Sequence, residues 1–278
     1  MEMNQPASQG ASSRISSAEL AQAERREQIP RSVVYGLRLA LVLLVAMGWE
    51  FAARRNWIDP FFCSMPSAIA LELFYWFRDG TAQGPLFTQL QITFAEALLG
   101  LAAGSIAGAG LAIALVRNKL LAEVFGFYLK LANALPVMVL GAIFAITLES
   151  GVAWKAALAV VMAFFVVFGN AYQRVRMLDG QTADVGSAPA AGREVISTTL
   201  RATLESLRMA FALALAGTLA GEFLGSAQGL GCVIASSVRE FNASGVFAAV
   251  IVIGVAAWIT DYLLGELQQR LLMLRMRR

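Results

Sequence analysis

The sequence predicts an all-α integral membrane protein with about six transmembrane helices, and three observations predict it. Of its 278 residues, 58% are hydrophobic and 15% charged, with a mean hydropathy of +0.64. Soluble domains run nearer 45–50% apolar and about 25% charged. Six windows reach the roughly 20 apolar residues needed to cross a bilayer core at about 1.5 Å rise per residue. Basic residues gather at the ends of those windows, mostly on one side. The same balance excludes other classes. A net charge of +3 without a basic stripe argues against a nucleic-acid partner. There is no histidine, which removes histidine triads, imidazole acid–base chemistry and most zinc sites. Cys63 and Cys232 form no CxxC pair and no disulfide framework.

Residues 1–32 are polar and read as a cytoplasmic tail, in which Ser16 and Glu19 have capping-box spacing for a short helix through Gln28. This stretch and the charges after the first apolar run do not fit a secretory signal. Residues 33–92 hold the first span, about 33–53, and a segment opened by Met65-Pro66-Ser67 that is too short to cross. An interfacial helix on the outer face fits it. Residues 93–268 read as the core. Its windows lie at about 93–116, 124–148 with Pro136 in the middle, 152–172, 207–225 and 245–264. A bundle can re-satisfy the backbone groups that Pro136 frees. Residues 173–206 are long and polar, with Pro189-Ala190-Ala191-Gly192 separating two helical runs, and 269–278 is a basic tail. With both termini inside, 15 basic residues fall on the cytoplasmic side, against 5 outside: Arg54, Arg55, Arg78, Lys155 and Arg239.

Gly100, Gly104 and Gly108 share one face of the second span, where they permit close packing inside the bundle or a dimer seam. Intramembrane polar residues are the functional candidates, because each is costly in hydrocarbon. Arg38, Glu50 and Glu123 can snorkel from window ends, and Glu96 lies near the outer end of the second span. Lys130, Asn133, Asn170 and Glu222 are deeper, where structural hydrogen bonding and pathway lining both remain open. No phosphate-binding GxxxxGK[ST] loop, HExxH or GxSxG motif occurs, so no enzyme constellation is visible and any ATPase is a separate protein.

Four stretches carry a family likeness. They are Asp59-Pro60 with Met65-Pro66-Ser67-Ala68, Asn133-Ala134-Leu135-Pro136, the run Ala220-Gly221-Glu222-Phe223-Leu224-Gly225 through Gly231, and Val246 to Gly254. In these the chain resembles the inner-membrane permease subunits of bacterial ABC importers, in the nitrate/sulfonate/taurine branch of the binding-protein-dependent transport family. The resemblance covers roughly residues 57–275. It implies a type I importer permease fold in the bacterial inner membrane, with a second permease copy, identical or related. It further implies a cytoplasmic ABC ATPase dimer that binds the ATP and Mg, a periplasmic or lipid-anchored solute-binding protein, and no cofactor or metal in this chain. The solute implied is small and anionic, of the sulfonate, taurine, nitrate or aromatic carboxylate kind, and its path is expected past Asn133, Pro136, Asn170, Thr218 and Glu222.

The family's docking loop reads EAA, three residues, then Gly, with a Leu-Pro pair downstream. Placed on Gly192, it assigns the coupling loop to Asp184, Gly186, Ser187, Ala188, Gly192, Arg193, Leu204 and Glu205, with Arg193 to Leu204 as a coupling helix. Here Gly186 stands where the glutamate is expected, Asp184 offers a carboxylate two residues early, and Glu205 stands in place of the proline. A competent divergent loop, one half of an asymmetric pair and an uncoupled relative all stay open. So do a stand-alone secondary transporter or channel, which would need inverted repeats or deep carboxylate clusters, and a membrane scaffold that transports nothing.

Overall fold

The apolar blocks are too long for strands, and the computed structural model shows them as helices. It describes residues 31–148, 152–184 and 192–276; almost all of the predicted N-terminal tail, the end of the basic C-terminal tail and Gly186, Ser187 and Ala188 lie outside the described residues. Among the described residues there are ten helices and no strand: α1 Arg31–Arg54, α2 Pro60–Cys63, α3 Pro66–Arg78, α4 Leu86–Arg117, α5 Lys119–Asn133, α6 Val137–Thr147, α7 Val152–Asp184, α8 Gly192–Gly225, α9 Leu230–Arg239 and α10 Ala243–Met276. Five of them, α1, α4, α7, α8 and α10, are long and apolar enough to cross a membrane.

The start signals are local. Asp59 Oδ1 accepts the Phe61 N–H at 2.9 Å ahead of Pro60, and Pro66 occupies the first position of α3, where its missing N–H costs nothing. Asn118 caps α5 by accepting from Leu121 N at 3.2 Å. Two expectations are revised. The window at 124–148 is not one helix: α5 ends at Asn133, residues 134–135 turn, and Pro136 stands at the N-cap of α6. Without its N–H, and with a ring that obstructs the preceding turn, Pro136 breaks the helix rather than kinking it. Arg193 to Leu204 is not a separate helix either, since it forms the first turns of the 34-residue α8.

The core is three helices. Ala97 and Leu101 of α4, Ala159, Ala163 and Val167 of α7, and Ala210, Phe211, Ala214 and Leu215 of α8 pack as one buried cluster. The glycine stripe makes the α4–α7 contact, as close packing inside the bundle. A Cβ at Gly100 would overlap Ala159, one at Gly104 would lie 2.5 Å from Val160 O, and one at Gly108 would lie 2.8 Å from Phe164 O. A second cluster ties α3 to the bundle through Ile69 and Trp76, packed with Leu86, Leu230, Val233 and Ala248. By contrast, none of the apolar window of α1 is buried.

Gly104→Ala therefore meets α7 backbone, and overpacking of about 1–3 kcal/mol outweighs the roughly 1 kcal/mol that alanine gains in a helix. Gly110→Ala meets nothing within 4 Å. In thermal unfolding in detergent, Gly104→Ala is expected to lower the midpoint while Gly110→Ala leaves it unchanged or raises it.

Candidate functional site

The described polar contacts form a buried group at one end of the bundle and exposed pairs along the other half of α8, with further polar residues beside the broken helix. At the end holding the start of α4, three side chains cap α9. The N–H of Gly231 donates to Glu222 Oε2 at 2.7 Å, that of Leu230 to Thr93 Oγ1 at 2.8 Å, and that of Gly229 to Gln89 Oε1 at 2.7 Å. Thr93 Oγ1 in turn donates to Glu222 Oε1 at 2.8 Å. The orphan donors of a helix start are thus met by groups from α4 and α8, and a carboxylate sits where the helix dipole favours it. Gly229 is at φ +102, and a Cβ there would overlap the Glu222 carboxylate; one at Gly231 would lie 2.6 Å from Glu222 Cβ. The Glu222-to-Gly231 run is accordingly one device, an acid and two glycines that make room for it.

Beside it, Lys155 Nζ lies 2.8 Å from Glu96 Oε1 and donates to Ser226 Oγ at 3.0 Å, with both charged side chains almost fully buried. Glu96 Oε2 has no hydrogen-bond partner among the described residues. Loop charge alone counts Lys155 among the outer cations. The structure places it in the first turn of α7, inside the bundle, and only its pairing with the expected Glu96 could have revealed it.

At the opposite end, where α4 closes on Arg117, the contacts are exposed. Arg174 Nη2 lies 2.7 Å from Glu205 Oε2, and Arg201 Nε 3.6 Å from Glu205 Oε1. Further along, at mid-length of both helices, Arg208 Nε donates to Asp261 Oδ1 at 2.7 Å, joining α8 to α10. Gly192 opens α8, exposed like Arg193, and a Cβ on it would lie 3.0 Å from Arg117 Nη2. Leu204 is half-buried, and Asp184 ends α7. Of the expected coupling residues that are described, Asp184 ends α7 and Gly192 and Arg193 open α8, while Leu204 and Glu205 lie about 18–20 Å further along α8.

The expected path residues do not form one group. Asn133 and Pro136 flank the α5–α6 break and are exposed; Asn170 is exposed on α7 and donates to Val166 O of its own helix at 3.0 Å. Thr218 and Glu222 are fully buried inside the chain, and Thr218 Oγ1 has no hydrogen-bond partner among the described residues. Asn133 alone of the five lines two cavities of about 260 and 250 Å³ that flank α5 and α7. An apolar groove of about 630 Å³ between α3, α4 and α10, walled by Trp76, Leu90 and Val252, contains none of them. Among the described residues no cluster could hold a metal ion.

Comparison with known proteins gives a family match over residues 100–273, more than half the chain, to the binding-protein-dependent transport system inner membrane component. The formylaminopyrimidine transport permease protein ThiX of Halalkalibacterium halodurans is 25% identical over 219 residues, covering 77% of this chain and 85% of ThiX. SsuC of Bacillus subtilis, named for aliphatic sulfonates transport, is 25% identical over 245 residues, covering 85% of this chain and 86% of SsuC.

Glu222→Ala strips the acceptor from Gly231 N–H and Thr93, and is expected to cost about 2–3 kcal/mol. Lys155→Met leaves Glu96 a lone buried charge and should cost about 3–5 kcal/mol, most of it recovered when Glu96→Leu is added. Unfolding midpoints in detergent for the single and paired variants check both.

Proposed function

The chain belongs to the binding-protein-dependent transport system inner membrane component family, and on that premise we propose that it imports a small anionic solute in a bacterial inner membrane. It is an ABC importer permease, a non-catalytic multi-pass membrane subunit. The observation that carries the functional reading is a pair of overhanging arms. Helices α7 and α8, of 33 and 34 residues, are each about 50 Å long against a hydrocarbon core of about 30 Å. Their excess length is at the Asp184–Gly192 end, where the side chains are polar and Glu205 ties the arms together. A short connection on a stiff stem suits docking in a groove on an ATPase and transmitting its closure as rigid-body motion.

In this reading Asp184, Gly186, Ser187, Ala188, Gly192, Arg193, Leu204 and Glu205 form the coupling element on the cytoplasmic side, together with both termini. The ATPase pair binds the ATP and Mg. A solute-binding protein docks at the opposite face, beside the α9 cap. A second permease copy closes the path, which one chain leaves open along the exposed faces of α5 and α6. The sulfonate wording of one relative supports an anionic solute of the sulfonate, taurine, nitrate or aromatic carboxylate type. The aromatic wall of Phe165, Phe168 and Tyr172, with the pyrimidine named for another relative, favours a small heteroaromatic solute as the second reading.

The test is mild-detergent purification of the tagged chain from its host, with the co-purifying proteins counted. An ATPase with two copies of the chain is expected. One copy with a second permease would show an asymmetric pair, and no ATPase under any mild condition would overturn the proposal. Deleting 185–191 should abolish both ATPase recovery and uptake; uptake that survives the deletion would sink the coupling assignment.

A further inference from the structure

We infer that the cavity between α5 and α7 is an anion station on the transport path, with Lys130 as its fixed cation. The inference rests on the permease reading and gives its solute chemistry a place. Gly126, Lys130 and Asn133 of α5 line one side of this space of about 250 Å³, and Phe168, Gly169 and Gln173 of α7 line the other. Residues 126, 130 and 133 recur at helical spacing and share a face. No acidic side chain is on the wall, and the Lys130 ammonium has no ion pair or hydrogen bond among the described residues. The Lys130 side chain is exposed in the single chain, about 16 Å along α5 from Lys119 in a helix that is otherwise largely apolar. An unpaired ammonium on an apolar helix, at the wall of a cavity without acidic groups, is available to an anion.

Two glycines belong to the same site. Glycine weakens a helix relative to alanine, so each helical glycine needs a reason. Gly104 and Gly108 have one in their contact with α7. A Cβ at Gly126 or Gly169 would meet nothing within 4 Å. Gly36, Gly48, Gly110 and Gly254 are as open, so openness alone marks nothing. What sets Gly126 and Gly169 apart is that both open into one cavity that also holds Lys130. The adjoining cavity shares Asn133 and Phe165 and continues to Leu135 at the helix break. A lysine acts as a point charge without the fork geometry of arginine, so it accepts a sulfonate, carboxylate or phosphate head alike. The aromatic wall suits a short apolar body behind that head.

The test uses the purified full chain with its co-purifying partners in phosphatidylcholine nanodiscs. Cys63→Ser and Cys232→Ala remove the native thiols, and Gly126→Cys places a reporter on the wall; Gly169→Cys serves from the opposite wall if the first fails to fold. Modification is timed with two reagents of like size, anionic methanethiosulfonate ethylsulfonate and its cationic ethyltrimethylammonium counterpart. The anionic reagent is expected to react at least about fivefold faster relative to its rate with a free thiol, as a nearby fixed cation dictates. Lys130→Gln should erase that preference and Lys130→Arg keep it. Ethanesulfonate or benzoate should slow the labelling. Equal relative rates, no labelling by either reagent, or a preference that survives Lys130→Gln would overturn the inference. If phosphatidylglycerol slows labelling while ethanesulfonate and benzoate do not, the anion is a lipid headgroup and the solute assignment falls. Failure of the permease reading looks different: the charge preference persists, but no ATPase co-purifies and no uptake occurs.

Discussion

The capping of α9 by side chains from two other helices is the constraint on which the rest of the structure depends. Helix α9 is only ten residues long and begins immediately after a turn that only glycine accommodates. Its first N–H groups are buried, and unpaired they would carry the desolvation cost of lost hydrogen bonds. Glu222, Thr93 and Gln89 meet them, which fixes α4, α8 and α9 to one another at a single point. The Lys155–Glu96–Ser226 contacts add α7 to the same knot. A buried ion pair is weak evidence of net stability against a hydrophobic alternative, yet breaking it is costly, so it specifies an arrangement.

The two ends of the bundle are consequently unlike. At the knot, the polar contacts are buried and shared among four helices. Toward the Arg117 end, and at mid-length of α8 and α10, the links are exposed ion pairs, each worth little: Arg174 with Glu205, and Arg208 with Asp261. The close α4–α7 contact along Gly100, Gly104 and Gly108 stiffens the length between them. A stiff body fixed at one end and lightly tied at the other can carry movement at the light end without repacking its core. That is the mechanical property a permease driven by a separate ATPase requires.

Much of this was legible in the sequence, because hydropathy and length alone locate five of the six windows as single helices. The glycine stripe was legible too, since spacing by four has few uses other than close approach. What was not legible depended on partners distant in the chain. Glu222 drew notice as a buried acid between glycines, but its role as a cap needs Thr93 and Gln89 in view. Lys155 sits at a window edge, where hydropathy cannot distinguish a loop cation from a buried one. Pro136 falls in the middle of a hydropathy window, where a bundle tolerates either a kink or a break, and only the packing of α5 and α6 separates the two.

Glu205 shows how a departure from a family pattern can itself be structural information. The pattern places a proline after Leu204, and a proline there would remove a helix hydrogen bond and crowd the preceding turn. It would end a short coupling helix and start a separate span. Glutamate permits the helix to continue, and α8 accordingly runs unbroken from Gly192 to Gly225. The same carboxylate bonds Arg174 across to α7 at 2.7 Å, an exposed tie between two continuous helices. A motion applied near Gly192 therefore meets no helix break within α8. Glutamate at position 205 and the continuity of α8 through it go together.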